Sequence, residues 1–139
     1  MENSAGYNEK RERGKKVKFK LGTIIKYKDY LLVAFTKFDN QNRANLTMNE
    51  YFECMINFWI EVDKVYSGKN ISLPLMGSGI TRLKPNDSMS LQDKLEFILN
   101  TLSYSNIKLD YKTTITIVLH ESQSDDINLY YIGGKYNGL

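Results

Sequence analysis

Ile71-Ser72-Leu73-Pro74-Leu75-Met76-Gly77-Ser78-Gly79-Ile80-Thr81-Arg82-Leu83 carries a short apolar strand into a glycine-punctuated turn, then an arginine. Hydroxyls stand at Ser78 and Thr81, and a second helix is predicted to begin near Ser88 or Ser90. This order of parts is how a parallel sheet builds a pocket for a phosphate. Glycines let backbone N–H groups approach an anion, and the positive end of a following helix favours negative charge. The turn is not a Walker-type loop, because Ile80-Thr81-Arg82 stand where that loop needs a lysine and a hydroxyl. It is not a dinucleotide fingerprint either, since the third glycine is missing. A tight left-handed turn joining strand to helix accounts for the same residues, and the pattern alone leaves both readings open. Arg82 adds weight to the anion site, because a guanidinium can meet a diphosphate bidentately at roughly 1.5–3 kcal/mol per charged hydrogen bond.

Working outward, Thr47 and Glu50 form a capping box for a helix running to about Tyr66, with Gly68 as terminator. Met48, Phe52, Met55, Trp59, Val62 and Tyr66 recur at helical spacing along it, and Cys54 is read as inert packing. Upstream, Val17 to Leu21 alternates apolar and basic residues like an edge strand. Tyr30 to Phe35 is a continuous apolar run, which predicts a strand covered on both faces. Thr36 to Asn45 has the composition of a loop, and ligands sit at such strand ends in open α/β sheets. Downstream, Leu91, Leu95, Ile98, Leu99 and Leu102 give the second helix one apolar face. Thr113 to Leu119 reads as a buried strand, Glu121 to Asp126 as a polar loop, and Ile127 to Ile132 as a final strand or packed terminal segment.

This alternation predicts an α/β layer fold with a central mixed, mostly parallel sheet flanked by helices. The junctions after Phe35 and Pro74 are expected to face the same way and form two lips of one cleft. Asp39, Asn42 and Arg43 share the first lip: the Asp–Asn pair suits ribose hydroxyls and Arg43 suits phosphate, while plain turn chemistry explains the same residues.

The chain has 139 residues, room for one core. Its net charge of +3 does not by itself argue for nucleic acid. Cys54 is the single cysteine and His120 the single histidine, which excludes an intramolecular disulfide, a thiolate cluster and His-pair catalysis. His120 suits either a base pocket or a structural strand end. No apolar run approaches the ~20 residues that span a bilayer, and the chain as given is expected to be soluble. Residues 1–16 are read as a flexible arm, with Lys10, Arg11, Arg13, Lys15, Lys16, Lys18 and Lys20 making its end basic. That charge fits a solvated tail or a juxtamembrane segment.

Leu73 to Ile80 resembles the second phosphate loop of macro domains, the modules that bind ADP-ribose. Gly22-Thr23-Ile24 sits where that family has a Gly-Asp-Ile turn. Ala34-Phe35-Thr36-Lys37-Phe38-Asp39, Asn42-Arg43-Ala44 and Gly79-Ile80-Thr81-Arg82 are similar to the divergent macro domain of the membrane-anchored Thoeris antiphage effector. The resemblance implies a macro-like three-layer fold over residues 17–139 and a sensor with no catalytic residues, metal or cofactor. Its ligand would be a nucleotide messenger, histidine-conjugated ADP-ribose, made from NAD by a TIR-domain partner. Binding would trigger self-association at a membrane, reached through helices missing from this chain, and no nucleic acid is implied. The diphosphate is expected over Gly77, Ser78, Gly79, Ile80 and Thr81, near Arg82. The distal ribose and its substituent would face Asp39, Asn42 and Arg43, the adenine would lie near Thr23, Ile24 and the loop after Leu119, and Thr36, Lys37, Leu75, Met76 and His120 complete the expected ligand-binding set. Two departures stand out: Thr23 replaces the family's adenine-contacting aspartate, and the Asn-Ala-Ala-Asn loop of ADP-ribosyl hydrolases is absent. An ADP-ribosyl hydrolase or general ADP-ribose reader is the alternative. A scaffold whose basic arm binds acidic lipid or nucleic acid is a further one.

Overall fold

The computed structural model describes residues 4–12, 16–84 and 88–137. Its centre is the helix α1 (Met48–Val65). The capping box forms as predicted: the Glu50 amide donates to Thr47 Oγ1 at 3.2 Å and the Thr47 amide to Glu50 Oε2 at 2.9 Å. Tyr51, Cys54, Met55, Phe58, Trp59 and Val62 are its buried face, recurring every three or four residues. That face meets α2 (Leu91–Ser105), capped by Ser90. Tyr51 stacks on Phe97 at 4.6 Å between ring centres, and Trp59 Nε1 donates to Thr101 Oγ1 at 3.1 Å. The second contact gives the buried indole N–H the partner that burial demands.

The strands form four ladders among the described residues. β1 (Ser4–Tyr7) pairs antiparallel with β2 (Val17–Phe19), and β3 (Ile24–Tyr27) with β4 (Tyr30–Val33). β5 (Lys37–Phe38) pairs antiparallel with β6 (Ala44–Thr47). β7 (Ile71–Pro74) lies parallel to β9 (Ile115–Val118), and β8 (Arg82–Lys84) parallel to β6. Two short helices close the chain, α3 (Glu121–Ser124) and α4 (Leu129–Lys135). The α/β class holds, but the sheet departs from the mostly parallel expectation. Consecutive strands joined by turns as short as Lys28-Asp29 return antiparallel, because a parallel return needs a long crossover.

Other expectations change for similar reasons. The Tyr30–Phe35 run is covered on one face only: Tyr30 is 69% exposed and Leu32 56%. Among the described residues β4 has β3 as its one partner, so alternate side chains stay outside. The Thr36–Asn45 loop is a tight hairpin containing β5 and opening β6. The Glu121–Asp126 loop contains α3. The segment around Ile127–Ile132 is helical rather than a strand; Asn128 caps α4, and Ile127 and Ile132 are buried. Within the residues read as an arm, Ser4–Tyr7 are strand β1, so the basic side chains Lys16 and Lys18 flank or join a hairpin. Arg13 and Lys15 lie outside the described residues. No helix among the described residues is long and apolar enough to cross a membrane.

Gly22, in the turn between β2 and β3, packs tightly against α1. Its φ is +86°, and a Cβ there would stand 2.5 Å from the Cys54 carbonyl oxygen and 2.6 Å from Asn57 Cβ. The Cys54 thiol beneath is buried, and desolvation pushes its pKa up to about 12. Gly22→Ala combines a positive φ with a clash against helix backbone. It should lower stability by about 2–4 kcal/mol, read as the shift in urea midpoint against the wild type.

Candidate functional site

The glycine turn divides into an anchored half and an open half. Leu75 is buried in the core. Its carbonyl accepts from the Ser78 amide at 3.2 Å and from the Ser78 hydroxyl at 2.6 Å. The Met76 carbonyl accepts from Tyr51 Oη at 2.6 Å. Gly77 has φ +87°, and a Cβ there would lie 2.9 Å from Tyr51 Oη. Here the glycine is required by both conformation and space. Gly79 faces open space, with nothing within 4 Å of where a Cβ would be, and Ile80 is 89% exposed. The amides of Gly79 and Ile80 have no hydrogen-bond partner among the described residues. Thr81 is buried, and Arg82 opens β8. The short strand β8 follows the turn beside β6, and α2 then begins at Leu91 with Ser90 as its cap, where the second helix was expected.

The other loop is organised by Asp39. Its Oδ1 accepts from the amides of Gln41 at 2.8 Å and Arg43 at 3.0 Å, and its Oδ2 from Arg43 Nε at 2.9 Å. Asn42 takes the left-handed conformation this turn needs, with φ +56°. The Arg43 amide, then the Gln41 amide and the guanidinium, hold the Asp39 carboxyl below its ordinary range. Thr36 donates its hydroxyl to the Asn45 carbonyl at 3.3 Å, and Lys37 pairs with Glu50 at the head of α1. These three side chains brace the loop.

Parallel pairing places Asn45 opposite Arg82 and so sets the two turns side by side. Between them lies a cleft of about 400 Å³ lined by Phe38, Asn42, Arg43, Ala44, Gly79, Ile80 and Arg82. It sits ahead of β6 and β8, not beyond the ends of two parallel strands. Asn42, Arg43, Gly79, Ile80 and Arg82 are thus brought together as the sequence suggested. Leu75, Met76, Gly77, Ser78 and Thr81 form the anchored part of the same turn. Thr23 and Ile24 lie apart: Ile24 is core, and Thr23 lines a separate apolar hollow of about 200 Å³ with Phe19, Ile25, Leu32, Val33 and Ala34. His120 is exposed at the N-cap of α3, with Nδ1 2.8 Å from Ser122 Oγ.

Phe38, 68% exposed, is a cleft residue that sequence reasoning did not single out. An aromatic inside an otherwise polar loop was the available signal. The charges in the cleft are unequal. Arg43 is partnered by Asp39, whereas Arg82 makes no ion pair among the described residues. A free guanidinium beside open amides, in a cleft edged by apolar side chains, can take a multivalent anion carrying flat or apolar groups.

The fold is an α/β module that opens a cleft suited to an anion. The family described as "Thoeris protein ThsA, Macro domain" matches residues 1–120. Thoeris protein ThsA of Bacillus amyloliquefaciens (strain Y2) is 39% identical over 127 residues, 91% of this chain and 42% of its own length. The chain belongs to the ThsA macro-domain family, and it spans less than half the length of that relative.

The two turn glycines should respond oppositely. Gly77→Ala should cost about 2–4 kcal/mol by strain and contact with Tyr51, whereas Gly79→Ala should stay within about 0.5 kcal/mol of wild type in the same thermal melts. The Asp39 clamp has a pH signature. A lowered carboxyl pKa means the clamp holds above the ordinary value of 3.8 and is lost as pH falls through the folded value. The Arg43 Nε–H resonance should accordingly keep its clamped shift at pH 5 and lose it only in stronger acid.

Proposed function

We propose that the cleft binds the pyrophosphate of an ADP-ribose derivative, and that the domain is the ligand sensor of an antiphage defence protein. The observation that carries this reading is the convergence of Arg82, Arg43 and the open Gly79–Ile80 backbone on one cleft of about 400 Å³. The pyrophosphate would lie against Gly79 and Ile80 with Arg82 over it. Asn42 and Arg43 would meet the distal ribose and its substituent, and Phe38 and Ile80 would cover the ligand's apolar faces. Histidine-conjugated ADP-ribose, supplied by a TIR-domain partner, is the messenger that the family resemblance favours. Ligand binding would then drive self-association, in a longer protein tethered to a membrane.

The reading is one of binding without turnover. His120 caps α3 at the surface, and burial keeps the Cys54 thiol protonated at neutral pH, so neither supplies a poised base or nucleophile to the cleft. Calorimetric titration with ADP-ribose and with its histidine conjugate is the direct test, and absence of heat with both would refute the proposal. Given binding, Arg82→Ala should weaken it by about 10- to 100-fold, the worth of one charged hydrogen bond. Arg43→Ala should weaken it less, because Asp39 already offsets that charge.

A further inference from the structure

We infer that Gln123, on α3, is a positioning residue for the glycine turn and holds the cleft's open backbone in its binding geometry. The inference rests on the reading of the cleft given above. Gln123 uses both ends of its amide. Its Oε1 accepts from the His120 amide at 3.0 Å, closing the capping box of α3. Its Nε2 donates to Ser78 Oγ at 3.1 Å. The Ser78 hydroxyl in turn donates to the Leu75 carbonyl at 2.6 Å. An unbroken chain of hydrogen bonds thus runs from the exit of β9, through Ser78, to the start of the glycine turn. Ser78 directly precedes Gly79, whose backbone lines the cleft.

The parallel pairing of β7 with β9 explains why this contact exists. Pro74 stands opposite Val118, so the segments leaving the two strands emerge side by side. The far end of the segment is held as well. Ile127 and Ile132 are buried in the core. The Asn128 amide donates to Gln92 Oε1 at 3.0 Å, Lys135 pairs with Glu96, and Tyr136 Oη donates to Asn100 Oδ1 at 3.0 Å. These contacts fix α4 to α2, and α3 is joined to that anchored segment by the Ile127 amide, which donates to the Ser124 carbonyl at 3.3 Å. Gln123 lies beyond residues 1–120, the part matched by the family. It is therefore a determinant supplied by the chain's C-terminal portion.

The test is a double-mutant cycle on the whole chain, with ADP-ribose as the calorimetric probe and thermal melts as control. Gln123→Ala and Ser78→Ala should each weaken binding about three- to tenfold, the worth of one neutral hydrogen bond. The double variant should bind no worse than the weaker single, because both substitutions remove the same link. A purely structural role in capping α3 would shift melting without this non-additivity in affinity. Wild-type affinity in Gln123→Ala, or losses that simply add, would overturn the inference while leaving the cleft's role intact. Absence of heat from the wild-type chain with ADP-ribose and with its histidine conjugate alike would instead remove the reading of the cleft and this inference together.

Discussion

Tyr51 ties the interior of this protein to its cleft. Its ring is fully buried, stacked on Phe97 at 4.6 Å and met edge-on by Phe35 at 6.0 Å. Its hydroxyl reaches out of that core to the Met76 carbonyl, and Gly77 lies against it too closely to carry a side chain. The first half of the glycine turn is therefore part of the core in mechanical terms. The second half, Gly79 and Ile80, is left uncovered. A loop anchored on one side and open on the other suits ligand capture. The anchored half needs no ordering when a ligand arrives, so less binding energy is lost to entropy.

Charge follows a similar division of labour. Asp39 is committed to its own turn, where it accepts two amides and a guanidinium. That commitment shapes the lip bearing Asn42 and Arg43 and leaves Arg82 as the stronger attractor for an anion. Lys37 is drawn to Glu50 at the head of α1, so it braces the loop from behind.

How much was legible in the sequence varied with the range of the interaction. The helices α1 and α2 were readable with their caps, because capping boxes and apolar stripes are local signals. The glycine turn and the Asn42–Arg43 turn were also recognisable as candidate lips. Their meeting was foreseen, but not its cause, the parallel register of Asn45 with Arg82, which is a long-range pairing. The hairpins were less legible: Tyr30–Phe35 is apolar enough for a two-faced strand, yet it has a single partner among the described residues, and an apolar run does not reveal how many neighbours it has. Thr23 was placed at the adenine end by the likeness of Gly22-Thr23-Ile24 to the family's Gly-Asp-Ile turn, but it stands just ahead of β3 and lines a different hollow. Gln123 gave no local signal, since its role depends on β7 and β9 ending together.

Gly22 brings the chain against α1 directly over Cys54. The only thiol in the molecule is thereby sealed and protonated, with its pKa raised to about 12. The thiol lies against the Ala34 and Phe35 carbonyls, so a reagent reaches it only when that segment moves off α1. The protein thus carries an intrinsic reporter of large-scale opening: the speed at which an alkylating reagent marks Cys54 follows the population of open molecules, with no label introduced.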